Sequence, residues 1–232
     1  MIRAILFDLD GVLVDACDWH YLALNRALEG IGLEPISRED HGTTYNGLPT
    51  NVKLKMLGLN EEQSKKVWQL KQDYTLDTIR ENSHIQLEKI FLFEHLISCN
   101  IKIVCVTNSI HKTTMEMLRQ TGQLEFFDFV VTNEDVENNK PHPDCYNFAV
   151  KKLDIHPTEC IIVEDSPKGL ESAMSSIVSD SNIWKVKNST EVTLQNYRRF
   201  VNEIFNSNGG KPWFWDYLCN LYYSIASTNK LY

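Results

Sequence analysis

The sequence lacks several features that would assign it to a specialised class of protein. It has no hydrophobic run long enough to cross a membrane, and its first apolar run is too short for a signal peptide and is interrupted by Asp8. Its six cysteines form no Cys-x-x-Cys pair, so a zinc knuckle or a thioredoxin-like site is not expected. Cys105 and Cys160 lie in apolar runs, as free buried thiols do. These absences predict a cytoplasmic protein with reduced cysteines.

The sequence is also short of positive charge. Its formal net charge is -8, which argues against nucleic acid as the main partner, because a phosphate backbone requires a basic surface. A small phosphorylated ligand needs only a local positive site and is not excluded. A hydrophobic content of 43% over 232 residues is enough for a globular core of one domain or two small ones.

One stretch near the start combines a buried strand with acidic residues. The apolar run from Ile2 to Phe7 has the length of a buried strand, and it leads into Asp8, Asp10 and Gly11. A buried parallel strand does not accommodate acids in its middle, but the carboxyl ends of such strands are where open α/β sheets place their chemistry. We interpret Gly11 as the residue that lets the backbone turn sharply away.

The rest of the chain predicts an α/β fold. From residue 87 onward, short apolar runs alternate with helical patterns, which is typical of a mostly parallel, Rossmann-like sheet with helices on both faces. After the first, the predicted strands are 101–106, 129–131, 160–163 and 183–186. The predicted helices of this part are 87–98, 113–120, 143–153, 167–174 and 192–205.

Residues 16–85 interrupt this alternation with helical periodicity alone. Helices are predicted from residue 16 to about 28, after Pro49, and over 61–79, with a loop over 43–49. The predicted domains are therefore an α/β core of residues 1–15 and 86–205 and an inserted helical cap of residues 16–85. Residues 206–210 are predicted to be a flexible hinge in an aromatic tail, 206–232, which packs on the core or forms a partner or dimer surface. We expect a monomer or a homodimer.

The candidate functional groups all follow predicted strands. Because the carboxyl ends of parallel strands share one edge of the sheet, we expect them to converge. Clustered carboxylates need a cation, and a set of oxygen ligands selects a hard ion such as Mg²⁺. The adjacent lysine, hydroxyl and amide groups suit a phosphoryl group, and an aspartate can attack it to form an aspartyl-phosphate. The candidate residues are Asp8, Asp10, Thr107, Asn108, Lys140, Glu164 and Asp165.

Four motifs resemble those of the haloacid dehalogenase-like superfamily, in the same order. They are Asp8-Leu9-Asp10-Gly11, Val106-Thr107-Asn108-Ser109, Asn139-Lys140-Pro141, and Val163-Glu164-Asp165-Ser166-Pro167-Lys168-Gly169. The resemblance covers about residues 1–175, and the helical insert is similar to the C1-type cap of β-phosphoglucomutase and phosphoglycolate phosphatase.

The resemblance implies a role for each candidate residue. Asp8 would be the nucleophile and Asp10 the general acid and base. Thr107, Asn108 and Lys140 would bind the phosphoryl group, while Asp8, Asp10 (through its carbonyl), Glu164 and Asp165 would bind magnesium. The sequence departs from the pattern after Gly169, and the cap loop has no arginine after Gly47, where β-phosphoglucomutases carry one for the substrate.

These observations predict a magnesium-dependent phosphohydrolase for a small phosphorylated metabolite, such as a sugar phosphate. The first alternative is a phosphomutase of the β-phosphoglucomutase type, which the missing arginine disfavours. A dehalogenase is disfavoured because its chemistry does not use the second aspartate in this way. The alternative of another class is a non-catalytic protein that binds a phosphorylated metabolite, and intact Asp8, Asp10, Lys140 and Asp165 argue against it.

Overall fold

The fold is built on a parallel sheet whose first strand lies at its centre. The computed structural model describes residues 1–45 and 48–207. The strands are β1 Ala4–Phe7, β2 Lys102–Val106, β3 Phe129–Val131, β4 Cys160–Glu164 and β5 Ile183–Lys185. They form a five-stranded sheet in the order β3-β2-β1-β4-β5, and every pairing is parallel. The predicted α/β sheet is confirmed, with strand ends within three residues of those expected from sequence.

Helices connect the strands and also form the insertion after β1. They are α1 Cys17–Glu29, α2 Arg38–Asp40, α3 Thr50–Met56, α4 Glu61–Asn82, α5 Leu87–Ser98, α6 His111–Gln120, α7 Asp144–Leu153, α8 Pro167–Met174 and α9 Leu194–Ser207. Short 3₁₀ turns occupy Leu124–Phe126, Pro157–Glu159, Asp180–Asn182 and Ser189–Glu191.

Several of the predicted helices differ from the observed ones by one to three residues at their ends; helix α6, for example, begins at His111, two residues before the predicted start. Helix α4 begins at the predicted residue, behind a capping box of Asn60 and Gln63, but runs three residues further, to Asn82. Helix α9 starts and ends two residues later than predicted, so Asn206, which we expected in a flexible hinge, is helical.

A further difference lies in the cap loop predicted over 43–49. Residues His41–Tyr45 form a turn of π-helix, so the first part of that loop is helical. Residues 46 and 47 lie outside the described residues, and so does the aromatic tail from residue 208.

Successive side chains of the strands point to opposite faces of the sheet, and each face packs against its own layer of helices. Ile5 and Phe7 of β1 point into one apolar cluster with α5, α6 and α9, whereas Ala4 and Leu6 point into another with α7 and α8. All four residues are fully buried, as expected for a central strand of a parallel sheet. The helices therefore cover both faces of the sheet and leave its carboxyl edge for polar groups.

The insertion between β1 and β2 has an apolar cluster of its own. Leu24 and Leu28 of α1 pack with Leu54 of α3 and Val67 of α4, all of them buried. This cluster gives the inserted helices a separate core, as an inserted helical cap requires. Within the described residues, we find no helix that combines the length and the apolar character needed to cross a membrane.

Candidate active site

The ends of three neighbouring strands bring the candidate residues together. Phe7, the last residue of β1, pairs with Cys105 of β2 on one side and with Val163 of β4 on the other. Asp8 therefore lies between the end of β2, which leads to Thr107, and Glu164, which ends β4. The expected convergence at the carboxyl edge is present in the structure.

Lys140 joins two of these carboxylates. It precedes α7, and its Nζ lies 2.6 Å from Asp8 Oδ1, 2.7 Å from Glu164 Oε1 and 2.8 Å from the carbonyl of Val106. The lysine is buried, and burial alone would lower its pKa, but the charges of Asp8 and Glu164 outweigh that effect and raise its pKa well above the usual value. Lys140 is therefore a fixed positive charge next to Asp8.

Three carboxylates form a cluster with the geometry of a cation site. Asp8, Glu164 and Asp165 each offer an oxygen, and these oxygens lie within 4.8 Å of one another. Asp165 Oδ1 is buried without a hydrogen-bond partner, and burial, together with the charge of Glu164, raises the pKa of Asp165 to about 6. Three acids face the single ammonium of Lys140, so the cluster has excess negative charge and fits a divalent cation with oxygen ligands.

Two glycines, which have no side chain, make room for two of these carboxylates. Gly11 has a φ of 87°, and a Cβ at this position would lie 2.0 Å from Asp165 Oδ2. A Cβ on Gly169 would lie 2.0 Å from Glu164 Oε2. The predicted turn at Gly11 is confirmed, and the glycine also has a steric role, because any side chain there would displace Asp165.

Asp10 points away from the carboxylate cluster. Its Oδ2 accepts a hydrogen bond of 3.0 Å from Ser109 Oγ, and its Oδ1 lies 3.7 Å from Nε2 of His20 on α1. Burial would raise the pKa of Asp10, but His20 and the Ser109 hydroxyl outweigh it and lower the pKa. The Asp10 side chain therefore faces the cap, while the cation cluster uses the other three acids.

Thr107 and Asn108 are both at the site but make different contacts. The Asn108 amide forms two hydrogen bonds of 3.0 Å with the main chain of Lys140, one to its carbonyl and one from its N–H. Thr107 Oγ1 accepts a hydrogen bond of 3.0 Å from the Ser109 N–H and can still donate its own proton. The Asn108 side chain thus orients Lys140, and Thr107 retains a donor for a ligand.

Sequence reasoning did not assign roles to three residues that contact the site. Ser109 and His20 flank Asp10, and the Tyr146 hydroxyl on α7 donates a hydrogen bond of 2.6 Å to Glu164 Oε1. Ser109 belongs to a recognised motif, so its position was a usable signal. Tyr146 was not identifiable, because its position on the buried face of α7 also suits a residue that only fills the core.

Comparisons with known proteins agree with this geometry. A family model described as haloacid dehalogenase-like hydrolase matches residues 5–179. A phosphorylated carbohydrates phosphatase from Thermotoga maritima is 29% identical over 178 residues, covering 75% of this chain and 81% of the relative. A β-phosphoglucomutase from Bacillus subtilis is 26% identical over 183 residues, covering 75% of this chain and 79% of the relative.

A solved structure shares the fold over most of the chain. A crystal structure of β-phosphoglucomutase from Clostridium difficile has a TM-score of 0.69 and 25% sequence identity, and the match covers 88% of this chain and 98% of that one. The four motifs meet at one edge of a parallel sheet, and the family model spans most of the chain. The chain belongs to the haloacid dehalogenase-like hydrolase family.

Proposed function

We propose that the protein is a magnesium-dependent phosphohydrolase that acts on a small phosphorylated metabolite through an aspartyl-phosphate on Asp8. One observation carries the proposal: the Asp8 carboxylate, at the end of the central strand, is held by Lys140 within a cluster of three acids. The names of the relatives, a phosphatase and a phosphomutase, support phosphoryl transfer from a small molecule.

Asp8, Glu164 and Asp165 are the residues that would hold Mg²⁺ in this proposal, together with the Asp10 carbonyl that the family resemblance implies. The unpartnered Asp165 oxygen and the excess negative charge support a cation at this place. When bound, the ion would offset the carboxylate charges and the charge on the phosphoryl oxygens.

In the first half of the reaction, a carboxylate oxygen of Asp8 forms a bond to phosphorus while the bond from phosphorus to the ester oxygen breaks. The charge of Lys140, whose three protons are already donated in the free protein, attracts the phosphoryl oxygens, and the Thr107 hydroxyl donates a hydrogen bond to one of them. Asp10 gives its proton to the departing ester oxygen. In the second half, Asp10 takes a proton from water, whose oxygen attacks phosphorus and releases phosphate from Asp8.

The environment of Asp10 suits this exchange of protons. Its lowered pKa keeps it ionised in the free protein, which is the form that the second half requires. An incoming phosphoryl dianion raises the pKa of a neighbouring carboxyl group, which favours the protonated form that the first half requires. The Ser109 hydrogen bond fixes the carboxylate in place for both steps.

The cap of residues 16–85 is proposed to close over this site. It is joined to the core by two connections, so it can swing, and closure can exclude bulk water. The division into this cap and a core of residues 1–15 and 86–205, a cytoplasmic location and a monomeric or homodimeric state remain predictions.

Phosphate release from p-nitrophenyl phosphate tests the proposal. Wild type should release phosphate with Mg²⁺ and lose this activity in EDTA. Asp8→Asn should abolish turnover because an amide is a poor nucleophile, whereas Asp15→Asn, at an exposed aspartate of the same segment, should retain it. An active Asp8→Asn protein would contradict the proposal, and a wild type inactive on every ester tried would support the non-catalytic alternative.

The β-phosphoglucomutase relatives make a phosphomutase the second candidate. A mutase must hold the sugar firmly while the aspartyl-phosphate survives, but residues 48–51 of the cap offer no arginine fork. We therefore expect β-glucose 1-phosphate, with Mg²⁺ and a trace of the 1,6-bisphosphate, to give inorganic phosphate. Glucose 6-phosphate that accumulates much faster than phosphate would favour the mutase.

A further inference from the structure

Tyr146 is a buried residue of α7 whose hydroxyl group has no part in the proposed reaction. The residue is 0% exposed, and it is one of the largest fully buried side chains in the described residues. A phenylalanine would fill the same space, and a buried hydroxyl that lacks a hydrogen bond costs free energy. The reason for a hydroxyl at this position therefore lies with the group that accepts its proton.

That acceptor is the carboxylate of Glu164, one of the three acids of the cation cluster. The Tyr146 hydroxyl lies 2.6 Å from Glu164 Oε1, and Lys140 Nζ lies 2.7 Å from the same oxygen. The second oxygen, Oε2, accepts a longer hydrogen bond of 3.2 Å from the N–H of Asp165. Two short hydrogen bonds therefore hold Oε1, which leaves Oε2 as the oxygen better able to bind a cation.

The direction of this carboxylate depends on its hydrogen bonds. The last torsion of a glutamate side chain has broad minima, so the rotamer alone does not decide where the two oxygens point. Glu164 is 0% exposed, and a Cβ at Gly169 would lie 2.0 Å from Oε2 and 2.1 Å from Oε1. In such an enclosed place, the protein has to supply the donors that water supplies at a surface.

Lys140 cannot hold Glu164 in place as the tyrosine does. The lysine divides its three protons among two carboxylates, those of Asp8 and Glu164, and the carbonyl of Val106. A phosphoryl group next to Asp8 would also attract this lysine. The hydroxyl of Tyr146 has a single proton, which it donates to Glu164.

The start of α7 fixes both donors relative to each other. Lys140 precedes this helix, Tyr146 lies in its first turn, and the lysine Nζ is 4.8 Å from the centroid of the tyrosine ring. Ser172 Oγ on α8 donates a hydrogen bond of 2.6 Å to the carbonyl of His142, just before α7. The tyrosine is therefore presented to Glu164 from an anchored helix, as a group that orients another side chain requires.

We propose that Tyr146 is a positioning residue of the cation site, whose hydroxyl holds Glu164 Oε1 so that Oε2 faces Asp8 and Asp165. This inference rests on the proposed function, and it adds to the site a residue that contacts neither substrate nor cation. Removing a group that orients a metal ligand through a hydrogen bond typically weakens metal binding by about 10- to 100-fold. Tyr146 is therefore expected to matter for Mg²⁺ affinity more than for the packing of the core.

Calorimetric titration with Mg²⁺ alone tests the inference without requiring turnover. Tyr146→Phe removes the hydroxyl and keeps the ring, so the core stays filled. We expect the dissociation constant for Mg²⁺ to be about tenfold higher in this variant than in the wild type, or more. Thermal unfolding over a series of Mg²⁺ concentrations verifies that the variant is folded and measures the same difference independently.

Val150→Ala is the matched control for an effect of packing. Val150 lies on the same helix and in the same apolar cluster as Tyr146, and it is 2% exposed. Removing its buried methyl groups should lower the melting temperature in EDTA. The dissociation constant for Mg²⁺ should nevertheless stay within about twofold of the wild-type value, because this side chain orients no ligand.

Four results would overturn the inference. They are a dissociation constant of Tyr146→Phe within about twofold of the wild type, an equal weakening in Val150→Ala, a wild type that does not respond to Mg²⁺, and tighter binding in Tyr146→Phe. The last would mean that the hydroxyl only offsets the charge of Glu164. Failure of the proposed function would look different, because the wild type would bind Mg²⁺ more tightly than Tyr146→Phe but release no phosphate from any ester.

Discussion

Replacing Lys140 with methionine would measure how much this lysine stabilises the buried carboxylates around it. The Lys140 side chain is 4% exposed and lies between Asp8 and Glu164, whose side chains are 11% and 0% exposed. Lys140→Met keeps most of the aliphatic stem but leaves both carboxylates without their cation. Removing one partner of a buried ion pair costs about 3–5 kcal/mol, so we expect the free energy of unfolding at pH 7 to fall by that amount.

Urea unfolding in EDTA measures this loss without a competing metal ion. The loss should be smaller at pH 5, because Asp8, whose pKa burial already raises, binds a proton and ceases to be an uncompensated charge. Adding Asp8→Asn to Lys140→Met should recover about 1 kcal/mol or more, since the two residues interact directly.

Lys151→Met on α7 is the matched control, because this lysine is exposed. It should change stability by less than about 0.5 kcal/mol. If Lys140→Met is no more destabilising than Lys151→Met, the lysine does not compensate the buried acids and the electrostatic account of the site is wrong.

Two further predictions concern other charges. Mg²⁺ at about one hundred times its dissociation constant should stabilise the wild type by about 2.7 kcal/mol in thermal unfolding. Asp165→Ala should remove most of this gain, and indifference of the wild type to Mg²⁺ would refute the cation site. Lys71→Met should stabilise the ligand-free protein at pH 7 by up to about 3 kcal/mol, because one unit of pKa is worth about 1.4 kcal/mol. Because the pKa of Lys71 is lowered, the destabilisation caused by its buried charge is complete below pH 8 and is lost as the pH rises from 8 toward 10.5. If Lys71→Met increased the free energy of unfolding equally at every pH in urea titrations, the burial of a charged lysine would be contradicted.

The sequence predicted the carboxyl edge of the sheet well because its signals are local. An apolar run followed by acids and glycine predicts a strand end wherever it occurs, and α8 lies at the predicted residues, Pro167–Met174. The burial of β1 could be predicted from its apolar composition for the same reason. The position of each group on its own element could therefore be derived without any knowledge of the tertiary structure.

The contacts that each of two neighbouring site residues makes could not be predicted in the same way. Asp8 and Asp10 are two residues apart, yet one lies among the carboxylates and the other faces Ser109 and His20. The packing of α1 against the core decides this, because α1 carries His20. Asn108 is predicted to bind the phosphate, and nothing in the sequence indicated that its amide is also bonded to the main chain of Lys140, 32 positions away.

The burial of two cap lysines, Lys53 and Lys71, could not be predicted from the sequence either. Lys53 follows the exposed Val52 and precedes the buried Leu54, so the helical pattern gives no sign that its side chain is enclosed. Lys71 occurs in a polar stretch of α4 that also reads as a solvated surface. Their burial depends on how α1, α3 and α4 pack together, which is a tertiary property.

The central claim, an aspartyl-phosphate on Asp8, can be measured directly by mass spectrometry. Asp10→Asn should slow the attack of water on the intermediate because it removes the general base. Incubating this variant with Mg²⁺ and a substrate that the wild type hydrolyses, followed by acid quenching and proteolysis, should give a peptide containing Asp8 with the added mass of one phosphoryl group. The account predicts this mass on Asp8 and its absence in the Asp8→Asn, Asp10→Asn double variant. A phosphoryl group found on another residue would contradict the account.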